Sequence, residues 1–390
     1  MKIIIAPQSF KGSLTALEVS KIISQSVIKI FPDSEIITIP IADGGDGTLE
    51  TLVDATSGTL KSLNVLDPLE RKISAEWGSL GDKITGVIEM ARASGLALLS
   101  NEELNPLKTT TFGTGQLINE AINTNHKKII IGIGGSATND AGVGMATALG
   151  YKFLKNDGTP ISSGASEIGL IKNIVTPPNV IDFSKYKILV ACDVNNPLCG
   201  KNGASYIYGP QKGASIEQIK FLDDSLYNFS KIIQKELGIN VLDIPGSGAA
   251  GGLGAGLMAF TSATLQQGIS IVFDTLNVEQ KIKDADLIIT GEGQFDKSTI
   301  FDKAPVGIAK LGLKYNIPTI GLSGSIGEGF HLIHESGIKA ISSIINKPMD
   351  INTAIQDAPN LLLQASDQLL RAIKIGIELN LKGIQDDSKI

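Results

Sequence analysis

Residues 2–48, KIIIAPQSFKGSLTALEVSKIISQSVIKIFPDSEIITIPIADGGDGT, decide the fold class. KIIIA (2–6) is a β-branched run of the kind that fills a strand. Thr15 and Glu18 have capping-box spacing, and Leu17, Ile22, Ile23, Val27, Ile30 and Phe31 then recur at helical period. Pro32 and Asp33 break the helix, and EIITIPIA (35–42) predicts a second strand. This is a βαβ opening, with Asp43-Gly44-Gly45-Asp46-Gly47 at the carboxyl end of the second strand and a further helix from about Thr48. Ligands of open α/β sheets bind at such ends.

The C-terminal third repeats the style. ADLIIT (285–290) predicts a strand ending in Gly291-Glu292-Gly293, and residues 303–314 a helix. IPTIGLSG (317–324) and KAISSII (339–345) predict two more strands, before a final helix from about Pro359. The middle differs: 60–66, 72–78 and 84–89 read as short antiparallel strands, with hairpin signals at Asp67-Pro68 and Gly81-Asp82. The expected architecture is therefore α/β. One doubly wound domain is built from both chain ends (1–62 and 283–390), and a mixed α/β domain (63–282) is inserted between them. At 390 residues the chain is long enough for two cores.

Within the insert, KKIIIGIGGSATNDAGVGMATALG (127–150) reads as a buried strand, a glycine turn and a helix. Gly132, Gly134 and Gly135 allow a sharp turn, and Ser136, Thr138, Asn139 or Asp140 can cap the helix that follows. A helix N-terminus after such a turn favours anions, so this segment is expected to handle phosphate. Glycine makes up 43 of the 390 residues, and much of it clusters at 44–47, 132–144, 246–256 and 291–293. Beside Asp, Glu, Asn, Ser and Thr, such clusters suggest backbone-lined loops converging on a polar ligand.

Net charge of -6 and 5% aromatic content argue against a nucleic-acid partner. No apolar run reaches the length of a membrane span, and the chain reads as a cytoplasmic protein. Cys192 and Cys199 lack zinc spacing and are expected to be free thiols. His126, His331 and His334 share no metal-like spacing and are read as structural. A Walker-type loop is missing, since Asp296 stands where Gly291-x4 would need its second glycine. Gly246-Ser-Gly248-Ala-Ala-Gly251 matches the dinucleotide fingerprint after a strand-like VLDIP, with Asp274 at about the right distance. It is the basis of the alternative reading, an NAD(P)-binding oxidoreductase.

Acids beside the glycine loops carry more weight: Asp43, Asp46, Asp140, Asp193, Glu292 and Asp296. A carboxylate at a strand end can hold Mg²⁺, which needs only one or two carboxylates, or accept the proton of an attacking hydroxyl. Among cations, Lys11 lies between Phe10 and Gly12, Lys303 opens the helix after the Glu292 loop, and Lys201 and Lys212 flank GASYIYGPQKG.

Nine strings in order resemble the bacterial-type glycerate kinase family: APQSFKGSLTA (6–16), PIADGGDGT (40–48), IEMARASGL (88–96), TTFGTGQLI (110–118), GIGGSATNDAGVGM (132–145), CDVNNPLCGKNGAS (192–205), YGPQKGA (208–214), PGSGAAGGLGAG (245–256) and GEGQFDKST (291–299). The resemblance implies transfer of the γ-phosphoryl group of ATP to a hydroxyl of D-glycerate, with Mg²⁺ as cofactor and 2-phosphoglycerate favoured over 3-phosphoglycerate. It implies a flavodoxin-like domain with an inserted domain and an active site in the cleft between them. Ser9, Gly134, Gly135, Ser136, Thr138, Asn139, Gly248 and Gly251 are then expected to bind substrate or nucleotide. Asp43, Asp46 and Glu292 would hold the metal. Lys11 and Lys303 would neutralise charge, and Asp193, with Asp296 as second choice, would orient or deprotonate the hydroxyl. Three features depart from the family pattern: Arg92 where a small residue is usual, Ala141 for a glycine, and Phe295 and Lys297 within GEGQFDKST.

Overall fold

The computed structural model describes residues 1–42, 44–45, 47–178, 181–300 and 303–387, with side chains to 379. Asp43 and Asp46 lie outside the described residues. Among those described, thirteen strands are numbered β1 to β13 along the chain. The chain divides into two compact units, Met1–Asp43 with Val272–Ile390, and Gly44–Ile271.

The first unit is a five-stranded sheet. Its strands are β1 (Lys2–Pro7), β2 (Glu35–Thr38), β11 (Leu287–Phe295), β12 (Thr319–Ile326) and β13 (Ile338–Ser343). The spatial order is β2-β1-β11-β12-β13 and every pair is parallel. This is the flavodoxin-like doubly wound order, whose switch point lies between β1 and β11. The first helix, Ala16–Ile30, starts where Thr15 caps it: Thr15 Oγ1 accepts from the Glu18 N–H at 3.2 Å, and Glu18 Oε2 accepts from the Thr15 N–H at 2.8 Å. Its Val19, Ile23 and Val27 pack with Leu361, Leu362 and Leu370 of the last helix over Ile3 and Ile5. Helix Ala304–Lys314 also packs on β1 and β11.

β11 runs further than the sequence indicates. Pairing with β12 continues through Glu292↔Ser323 to Phe295↔Ile326, so Gly291 and Gly293 lie within a strand and do not form a loop. A Cβ at Gly291 would stand 2.4 Å from the Leu322 carbonyl oxygen, which explains a glycine where a β-branched residue would otherwise suit a strand.

The second unit holds a mixed six-stranded sheet in the order β10-β9-β6-β5-β4-β3. β3 (Thr59–Leu66), β4 (Lys72–Ser79) and β5 (Thr85–Glu89) are antiparallel neighbours. β5, β6 (Lys128–Gly132), β9 (Lys187–Ala191) and β10 (Thr264–Gln266) are parallel. β7 (Lys152–Leu154) and β8 (Asn173–Val175) form a separate hairpin. Ile129 and Ile131 of β6 and Ile188 and Val190 of β9 are buried in one large core that includes Trp77, Phe229 and Phe260. His126 is structural: it lies edge-on to Trp77 at 5.1 Å between the Ser79 hydroxyl and the Ala121 carbonyl. Cys192 and Cys199 are free thiols, and burial pushes both up, Cys199 to about 12.

Candidate active site

Two parallel strands of the second unit, β6 and β9, deliver their carboxyl ends to one cavity of about 200 Å³. Gly134, Gly135 and Ser136 reach it from the segment after β6, and Asp193 from the segment after β9. Gly44 and Gly45 line it from the turn before helix Thr48–Ala55, and Ala249 and Ala250 from the start of helix Ala249–Thr261. Two of the four glycine clusters thus meet here, beside two alanines from a third. Asp193 is exposed, and its Oδ1 accepts from the Gly268 N–H at 2.9 Å. At Gly135, φ is +73°, a conformation that a side chain would strain.

The segment after β6 is built differently from the expected strand, turn and anion-binding helix. Its helix begins only at Val143, with Gly142 as N-cap, and is six residues long. The helix amides already have an acceptor: Asp140 takes the Gly142 and Gly144 N–H groups at 3.2 Å each, and the Thr111 N–H and hydroxyl at 2.8 Å. A carboxyl from within the chain occupies the place where an external phosphate was expected. Burial pushes the Asp140 pKa up against these four donors. An anion in the cavity would therefore meet Gly134, Gly135 and Ser136, not the helix N-terminus.

Beneath this surface Thr138 and Asn139 are fully buried. Asn139 Nδ2 donates to Ser205 Oγ at 3.1 Å, while Asn139 Oδ1 and Thr138 Oγ1 are buried without a hydrogen-bond partner. They support the wall and do not form its face.

Lys212, which sequence reasoning mentioned but did not place in the site, is the strongest polar anchor of this wall. It is 1% exposed, and its Nζ donates to Ser136 Oγ at 2.8 Å and to the Thr138 carbonyl at 2.6 Å. Burial lowers its pKa to about 7, with Asp140 pulling the other way. The sequence signal was its place in YGPQKGA; its partners lie 74 and 76 residues away.

Gly248 and Gly251 are not at the cavity surface. A Cβ at Gly251 would lie 1.9 Å from the Thr138 carbonyl oxygen, and one at Gly248 2.1 Å from that of Pro197. These glycines let chain pack on chain. The dinucleotide fingerprint also lacks its strand, because residues 241–245 form no strand and end in Pro245. The NAD(P) alternative therefore loses its structural context, since the motif works only between a strand and a helix.

Arg92 is neither a free clamp nor a solvated helix end. Its guanidinium pairs with Glu50, with Glu89 at 3.1 Å and with Glu76 at 3.5 Å. Glu89 is buried, which pushes its pKa up despite these bonds and the donation from the Leu49 N–H.

In the first unit, Glu292 on β11 faces Lys303, the N-cap of the next helix, at 3.6 Å. Burial pushes the Glu292 pKa up, opposed by the Thr299 hydroxyl and Lys303, and Oε1 is buried with no hydrogen-bond partner. Asp296 accepts from the Ser298 N–H at 2.7 Å, and the Ser298 side chain and backbone hold its pKa down. Ser9 is half-buried after β1 and Lys11 is exposed. Among the described residues, no group of three or more His, Cys, Asp or Glu side chains is placed to hold a metal, and no helix is long and apolar enough to cross a membrane.

Comparison with known proteins agrees along the whole chain. The model of the glycerate kinase family matches residues 3–374. The chain is similar to a glycerate kinase of Halalkalibacterium halodurans, 45% identical over 364 residues (93% of this chain and 96% of that one). It is 44% identical to a glycerate 2-kinase of Escherichia coli over 377 residues, 97% and 99% of the two chains. A crystal structure described as that of a glycerate kinase 2 from Salmonella typhimurium LT2 superposes with a TM-score of 0.90 at 43% identity, covering 97% of this chain and 99% of that one.

Proposed function

The chain belongs to the glycerate kinase family, and on that premise we propose that it transfers the γ-phosphoryl group of ATP to D-glycerate. The observation that carries this reading is identity above 40% with glycerate kinases over more than nine-tenths of the chain. The 2-hydroxyl is the preferred acceptor, on the strength of the Escherichia coli relative described as a glycerate 2-kinase.

Phosphoryl transfer needs alignment and charge cancellation more than covalent help from the protein. Gly134 and Gly135, exposed in the cavity wall, would offer backbone amides to an anionic oxygen, with the Ser136 hydroxyl, held by Lys212, beside them. Asp193, held at Oδ1 by the Gly268 amide, is our first choice to orient or deprotonate the acceptor hydroxyl. A positioned base of this kind contributes about 10²–10⁴-fold. Asp296, kept ionised by its Ser298 bonds, is second. Lys11 and Lys303 neutralise charge on the moving group or on the glycerate carboxylate.

Magnesium fits this reading at Glu292, whose Oε1 is buried and has no protein partner. Asp43 and Asp46 are the further proposed ligands. When bound, the ion would cancel phosphate charge as the bond to the leaving oxygen breaks. The test is ATP-dependent turnover of D-glycerate, with the phosphorylated carbon read by phosphorus–proton NMR. A product carrying phosphate on the 3-hydroxyl refutes the regiochemistry, and absence of turnover by folded protein refutes the activity.

A further inference from the structure

The first unit holds a second crevice, of about 290 Å³, at the low end of the ~300–1,000 Å³ of small-molecule pockets. Phe10 and Lys11 line it from the segment after β1, Gly293 from β11 and Gly324 from β12. Ile344 and Ile345 after β13 and the short helix Ile351–Gln356 form the far wall, which is largely apolar. It opens at the carboxyl ends of the strands, beside the β1/β11 switch point, where ligands of open α/β sheets bind.

Its walls discriminate between the two reactants. Glycerate carries a carboxylate and two hydroxyls on three carbons, and apolar side chains would strip their water with nothing in return. The base of the donor has flat apolar faces that such walls can cover. The crevice also has polar features at one end. Ser13 Oγ, in its wall, is buried with no hydrogen-bond partner, and Lys11 supplies a positive charge. Gly293 permits this arrangement, because the Lys11 amide nitrogen lies only 3.3 Å from where its Cβ would be. Meanwhile Ile351 and Ile355 leave apolar surface exposed at the mouth, Ile351 at 70%.

We infer that this crevice receives the nucleoside of the phosphoryl donor, the base between Phe10 and the Ile344–Ile355 wall and the phosphates towards Lys11. The inference rests on the kinase reading and locates its donor. Two variants test it. Ala354→Trp fills the crevice, and Ile351→Asp puts a charge at its exposed mouth without disturbing the core. KM for ATP is expected to rise at least tenfold in Ala354→Trp and several-fold in Ile351→Asp, with KM for D-glycerate within twofold. Adenosine should inhibit the wild type competitively with ATP.

A KM for ATP within twofold of wild type in both variants, at unchanged wild-type turnover, overturns the inference while leaving the kinase reading standing. So does a rise in KM for D-glycerate in place of that for ATP, or variants that only change association of the chain with itself. Calorimetry with ATP alone makes the decision independent of catalysis. Binding to wild type that the variants lose supports the crevice even if glycerate proves the wrong acceptor, and binding they retain overturns it.

Discussion

Replacing Lys212 by Met keeps the bulk of a buried side chain and removes its charge, so it isolates what that charge costs the second unit. The folded pKa of about 7 lies below the ordinary 10.5. Folding therefore disfavours the ammonium, and the full penalty applies below pH 7, where both states are protonated. Each pKa unit is worth ~1.4 kcal/mol, which makes that penalty about 5 kcal/mol. As pH rises from 7 towards 10.5 the folded lysine is neutral while the unfolded chain still binds the proton. Wild-type stability therefore rises with pH across that window.

Loss of the bonds to Ser136 and Thr138 shifts the variant by an amount that varies little with pH, so it drops out of the pH dependence. Between pH 6.5 and 9, wild type should gain roughly 2–3 kcal/mol relative to Lys212→Met. Denaturant unfolding followed by intrinsic fluorescence measures this, because Trp77 is the only tryptophan in the sequence and lies in the core of this unit. A stability difference that stays constant within about 0.5 kcal/mol over that range would refute the argument, since one shifted unit alone exceeds it.

Asp193→Asn should lower kcat by at least ~10²-fold and leave fluorescence-monitored unfolding unchanged, as expected of an exposed group with a positioning or basic role; steady-state kinetics decides. Glu292→Gln should raise the magnesium concentration for half-maximal rate about tenfold or more. It should also stabilise the first unit more at pH 8 than at pH 5, because a carboxyl with a raised pKa costs stability only where it is ionised; a magnesium titration and thermal melts check both. Arg92→Met should cost about 2 kcal/mol at pH 7.5 by leaving Glu89 and its neighbours without their cation. The loss should shrink as the pH falls and the buried Glu89 takes a proton, which denaturant curves at two pH values would show.

What the sequence made readable was local. The capping box of Thr15 and Glu18, the β-branched run of β1 and the hairpin strands β3 to β5 all depend on residues close in the chain, and each is found close to the expected bounds. Convergence of Gly44–Gly45, Gly134–Ser136 and Asp193 could be anticipated from composition, because polar clusters at strand ends have few other uses. Long-range partners were hidden. Asp140 looked like one of four possible caps, and its bonds to the Gly142 and Gly144 amides are that local role; its contact with Thr111, 29 residues away, is what no local pattern announced. The glycines at 248 and 251 looked like ligand-facing loop residues. Their reason is the carbonyl oxygens of Pro197 and Thr138 pressed against them, which no local pattern encodes.

The segment from Gly134 to Asp140 is sewn into its surroundings by the chain's own bonds. The Leu96 amide reaches the Gly135 carbonyl, the Ala137 amide reaches Ser94, Thr109 holds the Ala137 carbonyl, and Asp140 and Lys212 fasten it from below. Ordering a free loop of this length would cost ~1–2 kcal/mol per residue at each encounter with a ligand. Here that entropy is surrendered once, when the polypeptide folds, and a ligand entering the cavity would meet a finished mould. Such a surface should bind with little change in protein heat capacity and tolerate cold better than a wall assembled around its guest.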